Sequence, residues 1–149
     1  MNSDLTVALH ILGFLTACAP NGAVTSETLA RSYGTNPVVI RRTVSKLRKA
    51  GLVETQRGSG GGTSLARDPS TINLRQVYEA VAERSALLRR HPGTEGGVAN
   101  ILGSYINGIY DDAEEALFRR LEEVSIEEMD ANVRPQVIDF VARARQRDA

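Results

Sequence analysis

Asn36-Pro37-Val38-Val39-Ile40-Arg41-Arg42-Thr43-Val44-Ser45-Lys46-Leu47-Arg48-Lys49-Ala50-Gly51, followed by Leu52-Val53-Glu54-Thr55-Gln56-Arg57-Gly58-Ser59-Gly60-Gly61-Gly62-Thr63-Ser64-Leu65-Ala66, is the stretch on which the fold turns. Asn36 is a good N-cap, and Pro37 stands at the first helical position, where its missing N–H costs nothing. Ile40, Val44 and Leu47 fall at i, i+4 and i+7, so they form one apolar face. On the opposite side lie Val38, Arg42, Ser45 and Lys49, flanked by Arg41 and Lys46. Gly51 closes the helix. Residues 52–56 and 63–66 then read as two short strands around a glycine-rich tip.

Upstream, Thr25-Ser26-Glu27-Thr28-Leu29-Ala30-Arg31 is a short helix with hydroxyl residues to cap it, and Gly34 breaks the chain before the next helix begins. Helix, glycine turn, helix is the helix-turn-helix unit. With a hairpin behind it, the expected fold is a winged helix: mainly α, with a small β-hairpin wing. The outward face of the second helix is basic and hydrogen-bonding, as a helix entering a DNA major groove must be. Arg57 stands at the base of the tip, placed to enter a minor groove. A phosphate-cradling loop is the competing reading of the glycines. No Lys-Ser or Lys-Thr follows them and no helix opens from them, so the nucleotide reading fails.

Residues 4–18 read as a helix with two apolar stripes, Leu5, Ala8, Leu9, Leu12 and Leu15 on one and Val7, Ile11, Phe14 and Cys18 on the other. A helix apolar on two faces is covered on both. Ala19-Pro20-Asn21-Gly22 ends it. Asn73 caps a helix carrying Leu74, Val77, Tyr78 and Val81. Residues 89–97 read as a loop and a boundary, dividing a DNA-binding domain over 1–92 from a helical dimerisation region over 93–149. A long helix over about 97–123 carries Val98, Ile101, Leu102, Tyr105, Ile109, Ala113, Ala116, Leu117 and Leu121. Its other face is acidic: Asp111, Asp112, Glu114, Glu115, Glu122 and Glu123. One small domain cannot cover so long a stripe, so a helix of a second chain is expected to. Ser125-Ile126-Glu127-Glu128 fits a capping box opening one short helix, and Pro135 opens the last, with Val137, Phe140, Val141 and Ala144 on its face.

The net charge of zero hides an asymmetry. Residues 1–92 hold 12 Lys and Arg against 6 Asp and Glu, and residues 93–149 hold 6 against 12. Residues 36–67 alone carry seven basic side chains, Arg67 among them, against Glu54. A polyanion is drawn to that segment and repelled by the rest. A chain of 149 residues, 42% hydrophobic and 24% charged, buries a core without staples. Its single cysteine excludes an internal disulfide and, with two histidines, a thiolate-rich metal cage, so no metal and no cofactor are expected. No membrane span and no basic leader at Met1-Asn2-Ser3-Asp4 point to a cytoplasmic protein.

The run from Ala50 to Arg67, continued by Asp68-Pro69, Ile72, Leu74, Val77 and Ala80-Val81, resembles the Rrf-type winged-helix transcriptional regulators of bacteria (BadM, IscR, NsrR and CymR). The resemblance covers about residues 4–125 and sets the long helix at the family's dimerisation position. It departs at Thr63, where the family has Tyr, which puts the packing behind the wing in question. It implies a homodimeric regulator, expected to be a repressor, on a near-palindromic operator in double-stranded DNA. By position, Asn36, Val38, Arg41 and Arg42 would face the major groove and Arg57 the minor groove, while Ser45, Lys46 and Lys49 would meet phosphates. Thr35, Ser59 and Gly60 complete the expected DNA-binding set. Val98, Ile101, Leu102, Tyr105, Ile109, Ala113 and Leu117 form the expected dimer contact. Cluster-binding members carry three cysteines in the loop and early long helix, whereas residues 84–105 here hold none, so the chain resembles the cluster-free branch.

Cys18 is read as a small buried hydrophobe, with a redox switch as the sharper alternative. His10 and His91 are read as structural. The competing function is a winged-helix adaptor that binds a partner protein such as a metabolic enzyme. An enzyme is excluded, since no nucleophile–base pair, carboxylate dyad or metal site has usable spacing. A small-molecule effector or a protein partner remains open as the signal.

Overall fold

The N-terminal third is organised around one helix whose apolar residues recur on two sides. The computed structural model describes residues 3–82 and 96–147, with side chains over 4–82 and 96–139. Helix α1 (Ser3–Cys18) buries Val7, Ala8, Ile11, Leu12 and Leu15, and half-buries Leu5, Leu9 and Phe14. It packs against α2 (Ser26–Tyr33), α3 (Pro37–Lys49), α4 (Leu74–Val81) and α6 (Ile126–Arg147). Both stripes feed the same core, while Leu9 of one and Phe14 of the other line the groove against α6.

Caps set the helix ends. Thr25 Oγ1 accepts from Thr28 N–H at 3.2 Å to start α2, and Asn36 Oδ1 accepts from Val38 N–H at 2.7 Å to start α3. Gly34, at φ 77°, holds the left-handed turn between them, and its N–H donates to Ala30 O at 2.9 Å. Asn73 and Gln76 form a reciprocal capping box on α4. Ile40, Val44 and Leu47 of α3 are buried against Leu29 and Ala30 of α2 and the α1 residues, in one continuous core.

The wing pairs β1 (Val53–Gln56) antiparallel to β2 (Gly62–Leu65), with Val53 opposite Leu65 and Gln56 opposite Gly62. Its far side is not an open edge, because Val24 and Thr63 exchange two backbone hydrogen bonds of 2.8 Å. Thr63, the departure from the family pattern, is 3% exposed behind that bridge.

Helix α5 (Val98–Glu122) returns the chain to the first core. Leu74 N–H donates to Val124 O at 2.9 Å and Ile126 N–H to Ile72 O at 2.8 Å, and Ile126 is fully buried in the same core as α1 and α4. The 92/93 boundary falls among residues outside those described, as does His91. The C-terminal segment differs from the sequence expectation: α6 is one helix with Pro135 inside it, not two helices. Proline removes one donor, and the carbonyl it deprives is that of Ala131. Every residue from Ala131 to Asp139 is exposed, a setting in which solvent can satisfy a carbonyl that proline deprives. Of the capping box expected at Ser125 the structure shows one half: its Oγ accepts from Glu128 N–H at 3.0 Å. Phe140, Val141 and Ala144 lie beyond the described side chains.

Candidate nucleic-acid interface

The glycine turn and Asn36 cap decide which part of α3 stands free. Thr35 is half-buried, its N–H donating to Ala30 O at 2.9 Å, whereas Asn36 and Val38 are exposed, Val38 by 65%. Of the large apolar side chains in residues 3–82, Val38 alone is exposed. Arg41 and Arg42 are both exposed beside it. Ser45 is half-buried, and Lys49 is exposed at the last turn.

Carboxylates from other helices hold three of these cations. Arg41 pairs with Glu27 of α2, both side chains more than half exposed. Arg42 reaches Asp4 of α1 at 3.2 Å and remains 60% exposed. The Arg41–Glu27 pair is exposed on both sides and worth little, so a phosphate or base edge can replace its carboxylate at small cost, whereas Asp4 is 17% exposed and shared with Lys46. Lys46 differs. Its ammonium lies 2.9 Å from Asp4 and 3.4 Å from Val81 O, and its side chain is only 26% exposed. In the free protein it ties α3 to α1 and α4. Lys46 and Arg42 hold the Asp4 carboxyl below its ordinary value near 3.8, the Lys46 hydrogen bond contributing most and burial opposing it. The clamp's contribution to stability is therefore complete above pH 4 and fades as pH falls through that lowered value.

Among the described residues, Lys49 and Arg57 have no ion-pair partner, so their charge is uncompensated. Arg57, Ser59 and Gly60 are exposed at the wing tip, where Gly61 N–H donates to Gly58 O at 3.0 Å to close the turn. The structure thus presents Asn36, Val38, Arg41 and Arg42 on one exposed helix edge and places Arg57, Ser59 and Gly60 on the wing. It half-buries Thr35, Ser45 and Lys46.

Sequence reasoning missed Asp4, Glu27 and the Val24 bridge. Asp4 stands 38 residues from Arg42, and no local pattern signals a partner at that distance. Cys18, the last residue of α1, is half-buried.

The dimer candidates stand in the open. Val98, Ile101, Leu102 and Tyr105 are 63–73% exposed, Ile109 46% and Leu117 41%; Ala113 is exposed as well. Gly103 is the one buried residue of α5. Toward the helix C-terminus, Phe118 packs on Tyr78, ring centroids 5.6 Å apart, and takes the Arg75 guanidinium over its ring at 5.3 Å.

A helix-turn-helix followed by a two-stranded wing, with an exposed cationic edge, defines a winged-helix DNA-binding protein. Comparison with known proteins places it more closely: the chain belongs to the Rrf2 family, whose model, described as an iron-dependent transcriptional regulator, matches residues 1–132. YwnA of Bacillus subtilis (strain 168), an HTH-type transcriptional regulator by its name, is 33% identical over 131 residues, covering 87% of this chain and 96% of that one. The HTH-type regulator IscR of Xenorhabdus nematophila is 30% identical over 141 residues, 93% of this chain and 77% of that one. The structure of CymR, the global cysteine regulator of B. subtilis, superposes with a TM-score of 0.65 at 20% identity, over 89% of this chain and 96% of that one. The chain is accordingly a DNA-binding transcriptional regulator and not an enzyme. Among the described residues no helix is long and apolar enough to cross a membrane.

The family's description names iron, so the donor set matters. Among the described residues no group of three or more His, Cys, Asp or Glu side chains could hold a metal ion, and the chain's one cysteine ends α1. These donors do not fit a thiolate-anchored cluster.

Proposed function

We propose that the chain is a homodimeric, sequence-specific repressor that binds a near-palindromic operator without an iron–sulfur cluster. The observation that carries this reading is the pairing of an exposed cationic α3 edge and wing with an exposed apolar stripe on α5. Residues 1–92 bind DNA and residues 93–149 join the two copies, with Ile126 anchoring the second region to the first core. A helix of 25 residues is about 37 Å long, comparable to the ~34–36 Å between successive half-sites on one DNA face.

In this mechanism Arg42 and Arg41 exchange their carboxylate partners for base edges in the major groove, and Arg57 enters the minor groove. Asn36 and Val38 set the register, with Thr35 at the turn. Ser45, Lys46 and Lys49 meet phosphates, as do the backbone amides near Ser59 and Gly60. The dimer covers promoter DNA and blocks transcription. Cys18 remains the candidate for thiol-based control, checked by comparing the oxidant response of Cys18→Ser.

The test is duplex binding across a salt series, with an operator selected from random DNA. Arg42→Ala and Arg57→Ala are each expected to cost about 1–3 kcal/mol on the selected site. Lys49→Ala is expected to weaken all duplexes alike and lower the salt slope by about one per subunit. Wild-type affinity in both arginine variants would refute the assigned face. An absorption spectrum with iron analysis tests the cluster-free state.

A further inference from the structure

We propose that the cavity between α1 and α6 is an effector site for an uncharged, mainly apolar aromatic molecule, and that α1 carries its occupancy to the DNA-facing helix. The inference rests on the regulator reading for its output, but the site stands on its own geometry.

The cavity has a volume of about 470 Å³, within the ~300–1,000 Å³ of small-molecule sites. One wall is aromatic. The His10 ring lies 6.1 Å from Phe14 and 5.0 Å from Tyr33, centroid to centroid, both tilted. The facing wall, from α6, is Met129, Val133 and Val137. Tilted rings and a thioether are favourable neighbours for another aromatic ring. Gly13 leaves the floor open, and a methyl in its place would stand 3.5 Å from Met129 Cε.

Among the described residues of the lining, the carboxylate of Asp130 and the guanidinium of Arg134 pair with each other. Burial lowers the His10 pKa from its usual 6.5, favouring the neutral ring. An ion entering would lose hydration without meeting an unpaired counter-charge, so the ligand is uncharged.

Among the described residues, no α5 side chain of the same chain lines the cavity. A helix about 10–12 Å across fills this volume with roughly one turn. One or two fused rings fit better than a docked helix.

The same α1 holds both helices of the reading unit. Near its start, Asp4 binds Arg42 and Lys46 of α3; in its middle, His10 Nε2 lies 2.6 Å from Ser32 Oγ of α2. A molecule that parts α1 from α6 shifts both tethers together.

The test uses the full chain and N-phenyl-1-naphthylamine, an uncharged fluorescent probe. Saturable uptake at one probe per chain in the dimer is expected. Val137→Trp, placed at a half-exposed position so that the fold tolerates it, should fill the mouth and weaken uptake at least tenfold; Val133→Trp serves as the second filling variant. Probe saturation should change duplex affinity at least threefold in wild type and not in Val137→Trp. Hydrogen exchange of α2 and α3 amides should change on probe binding, a readout that needs no DNA. Equal uptake by wild type and both tryptophan variants overturns the site. Uptake confined to dilute, monomeric protein also overturns it, because a second copy then fills the groove. Uptake that alters neither duplex affinity nor exchange overturns the effector role. Probe uptake and altered exchange with no duplex binding would instead break the DNA-binding reading and leave the site intact.

Discussion

Residues 3–82 and the outer faces of α5 and α6 use the same apolar side chains to opposite ends. In the first region Val38 is the sole exposed large hydrophobe, and it sits on the cationic edge of α3. On α5 six such residues are 41–73% exposed, and on α6 Val133, Val137 and Ile138 are 44–62% exposed. A 3.6-residue apolar period marks a face that will be covered, but not by what. The winged region covers its faces within one chain; the α5 and α6 faces need something else. Large apolar side chains left this exposed along a helix face are the kind of surface a partner covers.

The sharpest break of that contrast is a substitution in each region. Leu47→Ala, in the fully buried face of α3, is expected to lower stability by about 2–5 kcal/mol, since it leaves a cavity that α1 and α2 can only partly fill. Urea unfolding measured at several protein concentrations would reveal it as a loss that does not depend on concentration. A smaller loss, about 1–3 kcal/mol, is expected from Gly62→Ala. A Cβ there would stand 2.5 Å from Val24 O, so the bridge that closes the wing's far edge must open. The same unfolding measurement checks it, and duplex affinity should fall with it if the wing enters the groove.

Leu102→Lys acts on the other region. Its side chain is 63% exposed in the single chain, so the fold of one copy should be unchanged by circular dichroism. The dimer's dissociation constant should rise at least tenfold, about 1.4 kcal/mol, when followed by sedimentation. A variant that stayed dimeric would move the contact off the α5 stripe. If both Leu47→Ala and Leu102→Lys changed stability with the same concentration dependence, the two regions would be one cooperative unit and the contrast would fail.

Much of the winged region was legible because its signals are local. Asn36-Pro37 opens α3, Gly34 and Gly51 punctuate it, Asn73 caps α4, and Ile40, Val44 and Leu47 repeat at one face. The two strands were placed within one residue of their observed ends. Pro135 misled because proline at N1 and proline inside an exposed helix look alike in sequence; the difference is whether the deprived carbonyl meets water. The α3 edge was legible in its residue types but not in its partners. Asp4 and Glu27 lie 38 and 14 residues from the arginines they bind, and only the packing of α1 and α2 on α3 brings them together. The α1–α6 cavity was hidden for the same reason. Its walls come from opposite ends of the chain.

His10 sits on the seam between the two regions, facing Phe14 and Tyr33, and gives the smallest of the expected effects. Burial lowers its pKa from 6.5 in the folded chain. The unfolded chain therefore takes up the proton first as pH falls. Stability contributed by the neutral ring is complete above about pH 6.5 and is lost as pH falls through the lowered folded value. The ring is half exposed, so water screens part of the penalty, and the loss should be under about 1 kcal/mol. His10→Gln keeps a polar group near Ser32 and cannot titrate. Unfolding free energy followed from pH 8 to pH 5 should decline less steeply in the variant than in wild type. A parallel decline would mean that the folded and unfolded chains bind that proton alike, as they would if α6 did not cover this face of α1 in solution.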